Sequence, residues 1–274
     1  MTATDNPDFP APPLRPKVKA RSFATMRTIM ALILREMSTS YGRNPGGYIW
    51  AFLEPAAGIA IMATLFSLGF RHPPIGSNFA LFFASGMVPF FMWNGLVMKI
   101  GASLAFSKQL LGYPAVTYLD ALIARFLLNA ITMLLVNYII LVFIIIAWDV
   151  PVSLRFGRIA LGYAELLAFA IGVGLMNSFL TGVLPVWGQI FSIITRPLFL
   201  VSGTIFIYER VPSPYNEYLL WNPITHGIAT IRSGFYARYD AAYADPVFVF
   251  GVSGVLGIAG LLFLHRFHKY ILFR

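Results

Sequence analysis

The sequence predicts an all-α polytopic membrane protein with six transmembrane helices, an N-terminal amphipathic interface helix and short re-entrant helices between spans 5 and 6. Three observations carry this. Of the 274 residues, 58% are apolar and 11% are charged, against about 45–50% and about 25% in an average soluble domain. Charge-free windows of the ~20 residues needed to cross a ~30 Å hydrocarbon core recur along the chain. The basic residues concentrate in alternate connections, the pattern of loops that remain on the cytoplasmic side.

Residues 1–21 hold five prolines and then Arg15, Lys17, Lys19 and Arg21, a composition that cannot bury a core and reads as a disordered basic tail. The tail lacks the apolar region and small-residue cleavage site of a secretory signal, so a retained cytosolic N-terminus is expected. The segment 22–43 reads as the interface helix. Met26, Met30, Ile33 and Met37 recur at helical spacing beside Phe23 and Tyr41, while Arg27, Thr28, Arg35 and Thr39 take the other side and Leu32 fits neither.

The transmembrane domain occupies 44–274. Its first two spans are expected at about 47–70 and 77–98, since residues 72–98 carry no Lys, Arg, Asp or Glu. The third, 118–148, would reach ~45 Å, so its first turns should protrude. Residues 166–195 are uncharged but contain Pro185-Val-Trp-Gly188, a breaker that divides them into spans at 158–182 and 189–208. A sixth span covers 246–264. With both termini inside, twelve Lys and Arg fall on the cytoplasmic side and six outside, which satisfies the positive-inside rule. The net charge of +9 is then an orientation signal, and nucleic acid is not expected as a partner.

Residues 209–245 are too many for an idle connection. They hold Tyr215, Tyr218, Trp221, Phe235, Tyr236, Tyr239 and Tyr243, with Tyr208 just before. Pro212, Pro214, Pro223 and Gly227 cut the stretch into short helices at 215–221 and 224–237, expected to dip into the outer leaflet. Two readings fit the rings: an interfacial aromatic belt, or a sliding surface on which sugar faces stack.

Chemistry of other kinds is not signalled. No cysteine is present, which removes disulfides, thiolate metal sites and cysteine nucleophiles. The chain has no P-loop, zincin or nucleophile-elbow pattern. His265 and His268 stand at i, i+3, but beside Arg266 and Lys269 they read as headgroup-facing, so no metal is expected. Small residues line span 4 (Gly174, Ser178, Gly182) and span 6 (Gly254, Gly257, Gly260), a pattern of close helix packing within a bundle or between copies.

Ionisable residues within spans are costly, ~2.5–3.5 kcal/mol each at the bilayer centre on insertion scales. Glu54, Arg125 and Arg196 enter spans 1, 3 and 5 from the same side and are expected at one depth, either as structural ion pairs or as an entrance for an anionic group. Glu165 lies near the outer end of span 4. An ion-coupled carrier would show midplane acids and inverted repeats; the midplane is nearly free of acids and no internal repeat is seen, so it remains the rival, with a non-transporting scaffold behind it.

Leu34-Arg35-Glu36-Met37-Ser38-Thr39-Ser40-Tyr41-Gly42-Arg43 and Gly47-Tyr48-Ile49-Trp50-Ala51-Phe52-Leu53-Glu54-Pro55 resemble the opening of the membrane subunits of polysaccharide ABC exporters. Asn222-Pro223-Ile224-Thr225-His226 and Arg232-Ser233-Gly234-Phe235-Tyr236 are similar to that family's outer re-entrant segment. The resemblance spans about 21–274 and looks closest to inner-membrane permeases for capsular polysaccharide; permeases for O-antigen or teichoic acid share these motifs. It implies a multi-pass half-transporter of the bacterial inner membrane, working as a homodimer on a lipid-linked polysaccharide expected to be anionic. Two copies of a separate ATP-binding subunit would hold the ATP and Mg, and a periplasmic adaptor and outer-membrane export component would complete the pathway. The family's ATPase-coupling positions map to Arg35, Glu36 and the loop from Ser103 to Pro114, including Lys108 and Tyr113. By the residues alone that loop reads as a solvated connector. On the sliding-surface reading of the aromatic rings, the glycan path comprises Trp50, Tyr208, Tyr215, Tyr218, Trp221, Arg232 and Tyr236.

Overall fold

A computed structural model describes residues 24–41, 47–112 and 116–273; the basic tail, Tyr113 and Pro114 lie outside them. The described residues are helical, with no strand. α1 (Ala24–Glu36) runs into one turn of wider π-helix, Met37–Tyr41, and is followed by α2 (Gly47–Gly69), α3 (Phe79–Gly101), the short α4 (Ser103–Ser107), α5 (Tyr118–Ala147) and α6 (Phe156–Val183). After α7 (Trp187–Val201) come a single 3-10 turn, Tyr208–Arg210, then α8 (Tyr215–Leu219), α9 (Pro223–Phe235) and α10 (Pro246–Phe273). Five of these helices, α2, α3, α5, α6 and α10, are long and apolar enough to cross a membrane.

α3 is the axis of the bundle. Residues Leu81 to Phe90 are buried without interruption, the signature of a helix apolar on every side. α2, α5, α6 and α9 all pack against it, and α10 packs on α6 and α9. The small residues of spans 4 and 6 serve this packing. A Cβ on Gly260 would stand 2.8 Å from the backbone nitrogen of Met176, and one on Gly182 would strike Ile271. Gly260 therefore serves close backbone approach within the chain, and Gly174 and Gly182 make room for the side chains of Ile100 and Ile271, whereas Gly254 faces open space.

α5 has 30 residues, ~45 Å of helix, as its apolar run predicts. A capping box starts it: Thr117 Oγ1 accepts from the Asp120 backbone N–H, and an Asp120 carboxylate oxygen accepts from that of Thr117. α10 runs on to Phe273, past the expected end at 264, and its final turns meet the start of α5. There Tyr118 stacks on His268 at 4.8 Å and its hydroxyl lies 3.4 Å from His265 Nδ1. Among the described residues no group of His, Asp or Glu is arranged to hold a metal.

The stretch expected as span 5, 189–208, is helical only in α7. Its 15 residues rise ~22 Å, less than the ~30 Å core. The helix ends because Gly203 takes φ +72°, a conformation glycine adopts without penalty. The hydroxyls of Ser202 and Thr204 turn back onto the carbonyls of Leu198 and Phe199, satisfying oxygens that the missing next turn would have used.

α9 is buried from Pro223 to Phe235. Asn222 caps it, with Oδ1 accepting from Ile224 N–H at 3.1 Å, and Pro223 holds the first helical position. Gly162 lets α6 approach so closely that a Cβ there would stand 2.8 Å from the Gly227 carbonyl oxygen. The expected short helices of the aromatic segment therefore exist, and the second is a core element.

Candidate functional site

The coupling residues assigned to α1 do not share one environment. α1 turns Ile29, Leu32 and Glu36 toward α5 and leaves Met26, Met30, Leu34 and Met37 exposed. The face picked out by methionine spacing is thus the outer one, and Leu32, which fitted neither side, belongs to the protein-facing stripe. The hydrophobic pattern registered two apolar faces as one.

Glu36 is 4% exposed and Arg125 of α5 is 6% exposed. Glu36 Oε1 lies 3.4 Å from Arg125 Nε and accepts from Asn129 Nδ2 at 3.2 Å. The Arg125 guanidinium also covers the Phe106 ring of α4 at 4.1 Å, and Arg35 approaches the same ring at 5.6 Å. Phe106 is in this way clasped by two arginines. One residue network therefore ties α1, α4 and α5 together. Glu36 faces inward, whereas Lys108 is exposed just beyond α4 and Arg35 is half-buried. Phe106 and Asn129 were not singled out by the sequence; a polar side chain within a span was the available signal for Asn129.

Arg125 therefore has its carboxylate in Glu36, not in Glu54. Glu54 and Arg196 are both exposed, and the three residues expected at one site are not brought together within the chain. Glu54 sits in an exposed stripe of α2 with Trp50, Ile61 and Leu68. Arg196 sits on the exposed side of α7 with Ile193 and Leu200. α7 is held to the bundle at its start by Trp187 Nε1, which donates to Asn177 Oδ1 at 2.8 Å, and near its end by Phe199, stacked on Phe91 at 5.7 Å.

At the other end of the bundle Arg232 is 2% exposed. Its guanidinium donates to the carbonyls of Gly203 (2.6 Å), Thr204 (2.9 Å), Phe206 (2.9 Å) and Phe82 (3.4 Å) and covers the Phe82 ring at 4.4 Å. It fastens the segment after α7 to α3, so this residue of the expected glycan path does not line an open surface. Tyr208 stacks on Tyr243 at 4.2 Å, and the Tyr243 and Tyr239 hydroxyls meet at 3.0 Å. Burial pushes the Tyr239 hydroxyl up to about 12, partly offset by its bond with Tyr243. Tyr236 is half-buried against Gly76. Tyr215, Tyr218 and Trp221, by contrast, are 66%, 71% and 78% exposed.

Trp221 borders a cleft of about 550 Å³ shared with Glu217, His226, Tyr243 and Asp245. His226 is fixed in it. Its Nδ1 accepts from the Asp245 backbone N–H at 3.0 Å, so Nε2 carries the hydrogen donated to the Leu220 carbonyl at 2.8 Å. No constellation for bond-breaking chemistry assembles among the described residues; the site is a membrane bundle with a tied α1–α4–α5 end and an aromatic opposite end.

These features define a polytopic helical membrane protein with a buried charged junction at one end. The sequence model of the family described as ABC-2 type transporter matches residues 27–236, and the chain belongs to that family. It is 27% identical over 212 residues to the polysialic acid transport protein KpsM of Escherichia coli, covering 77% of this chain and 82% of the relative. It is 28% identical over 245 residues to the capsule polysaccharide export inner-membrane protein CtrC of Neisseria meningitidis, covering 89% and 92%. It is 25% identical over 245 residues, with the same coverage, to the capsule polysaccharide export inner-membrane protein BexB of Haemophilus influenzae.

Proposed function

We propose that the chain is the permease subunit of an ATP-driven exporter that moves lipid-linked, anionic capsular polysaccharide across the bacterial inner membrane. The near full-length similarity to relatives named for capsule polysaccharide export carries this reading. In it the protein works as a homodimer with two copies of an ATP-binding subunit, which hold ATP and Mg, and hands the polymer to a periplasmic adaptor and an outer-membrane component. The basic tail 1–21, the interface helix 22–43 and the membrane domain 44–274 are its parts, with both termini cytoplasmic. α7 and the segment after it make the sixth crossing, and α8 and α9 re-enter from outside.

Closure of the ATP-binding subunits acts on Arg35 and on the loop from Ser103 to Pro114, including Lys108 and Tyr113. The Glu36–Arg125–Phe106 junction passes that displacement to α5. The polymer then moves along Trp50, Tyr215, Tyr218 and Trp221, whose exposed rings suit sugar C–H faces, while Tyr208, Tyr236 and Arg232 hold the outer segment in shape. Co-purified with its ATP-binding subunit, the protein should show ATP turnover stimulated by the lipid-linked polymer. Turnover indifferent to polymer would contradict the reading.

A further inference from the structure

We infer that Glu54 of one copy pairs with Arg196 of the second copy, so that two identical ion pairs join α2 and α7 across the dimer. The inference rests on the homodimer proposed above and adds the residues that make it specific. Among the described residues neither side chain carries a hydrogen bond or an ion pair, and both are exposed on helices that hold no other charged residue. A carboxylate and a guanidinium left facing hydrocarbon are each strongly disfavoured, and the remedy within reach of both is the other.

The faces that carry them are the unpacked ones. Between Ile49 and Gly69 the sole buried residue is Ile59, although α2 is long enough to span, and 78% of the most apolar window of α3 is buried against 6% for α2. α7 buries Phe191 and Thr195 and leaves Ile190, Ile193, Arg196 and Leu200 outward. Their positions along the two helices correspond as well. Glu54 lies seven residues after the first of α2 and Arg196 nine after the first of α7, ~10 Å and ~14 Å along their axes. Both helices start from the same side in the proposed topology. In a twofold dimer a contact from α2 to α7 is repeated as α7 to α2, so one interface neutralises all four charges. A lipid partner offers no such reciprocity.

The absence of native cysteine gives a clean test in the full complex. Two differently tagged copies, one Glu54→Cys and one Arg196→Cys, are co-expressed with the ATP-binding subunit, purified and treated with a short bifunctional maleimide. A crosslinked band carrying both tags is expected. If the tags co-purify and no mixed band forms, the pair is wrong while the dimer stands; if the tags do not co-purify, the homodimer reading itself fails and takes the pair with it. The charge test is independent. Glu54→Arg and Arg196→Glu should each lower export about tenfold through like-charge contact, and the double reversal should restore most of it. A double reversal no better than the single changes, at equal protein level, overturns the pairing. Where a reversal lowers the protein level, the smaller cysteine changes decide.

Discussion

Replacing Glu36 with alanine removes a carboxylate that is nine-tenths or more buried and leaves Arg125, 6% exposed, facing the gap. Breaking a buried ion pair from one side costs about 3–5 kcal/mol, because the remaining charge stays desolvated. Loss of the Asn129 hydrogen bond to Glu36 adds about 1 kcal/mol. The Phe106 ring, 4.1 Å from the guanidinium, is in contact before and after the change and cancels, so the total is about 4–6 kcal/mol. The double variant Glu36→Leu/Arg125→Met removes both charges and should regain most of the stability, since apolar replacements of a buried pair are often neutral. The assay has two readouts: the fraction of monodisperse protein after heating, and export per ATP hydrolysed by the partner. The single change should fail the first; the double should pass it and still fail the second, because α1 and α4 are no longer tied to α5. A double variant that exports normally, or a Glu36→Ala variant of unchanged heat resistance, refutes the reasoning.

Three other outcomes are expected. Gly260→Leu forces a side chain against the Met176 and Leu175 backbone and should destabilise the α6–α10 contact by about 1–3 kcal/mol or more, as overpacking does; heat resistance of the purified complex checks it. The paired change Tyr218→Ala/Trp221→Ala removes exposed rings, so the protein level should hold while polymer-stimulated ATP turnover falls; unchanged stimulation would remove these rings from the glycan path. Because burial raises Tyr239 to about 12 from ~10 unfolded, the folded state keeps this proton where the unfolded chain has lost it. Stability should be insensitive to this group below pH ~10 and decline above it, and Tyr239→Phe should make that decline shallower in a pH series of melting curves.

The helices were legible because a span announces itself by length and by lack of charge: 118–148 and 158–182 match α5 and α6 within two residues. The break at Pro185 was legible for a similar reason, since proline and glycine act locally. What escaped the sequence was pairwise. Hydropathy cannot tell that Met26 faces outward while Leu32 faces α5, because lipid and protein core are equally apolar. Nor can it choose which of several acids will meet Arg125: Glu54 lies in a neighbouring span at a plausible depth, yet the partner is Glu36, from the helix before any span. Arg232 looked like a surface cation among tyrosines, and only the fold reveals four carbonyls from α3 and the connector converging on it.

The central claim is that this chain is a conduit driven by ATP hydrolysis on another subunit. The most direct measurement is polymer uptake into inverted membrane vesicles containing the complex, compared under three conditions: intact, with the partner's ATP site inactivated, and with an uncoupler added while ATP is maintained. Uptake that stops with the inactive partner and survives the uncoupler is the predicted result. Uptake that survives the inactive partner and collapses with the uncoupler would show that the chain carries its own ion-coupled drive.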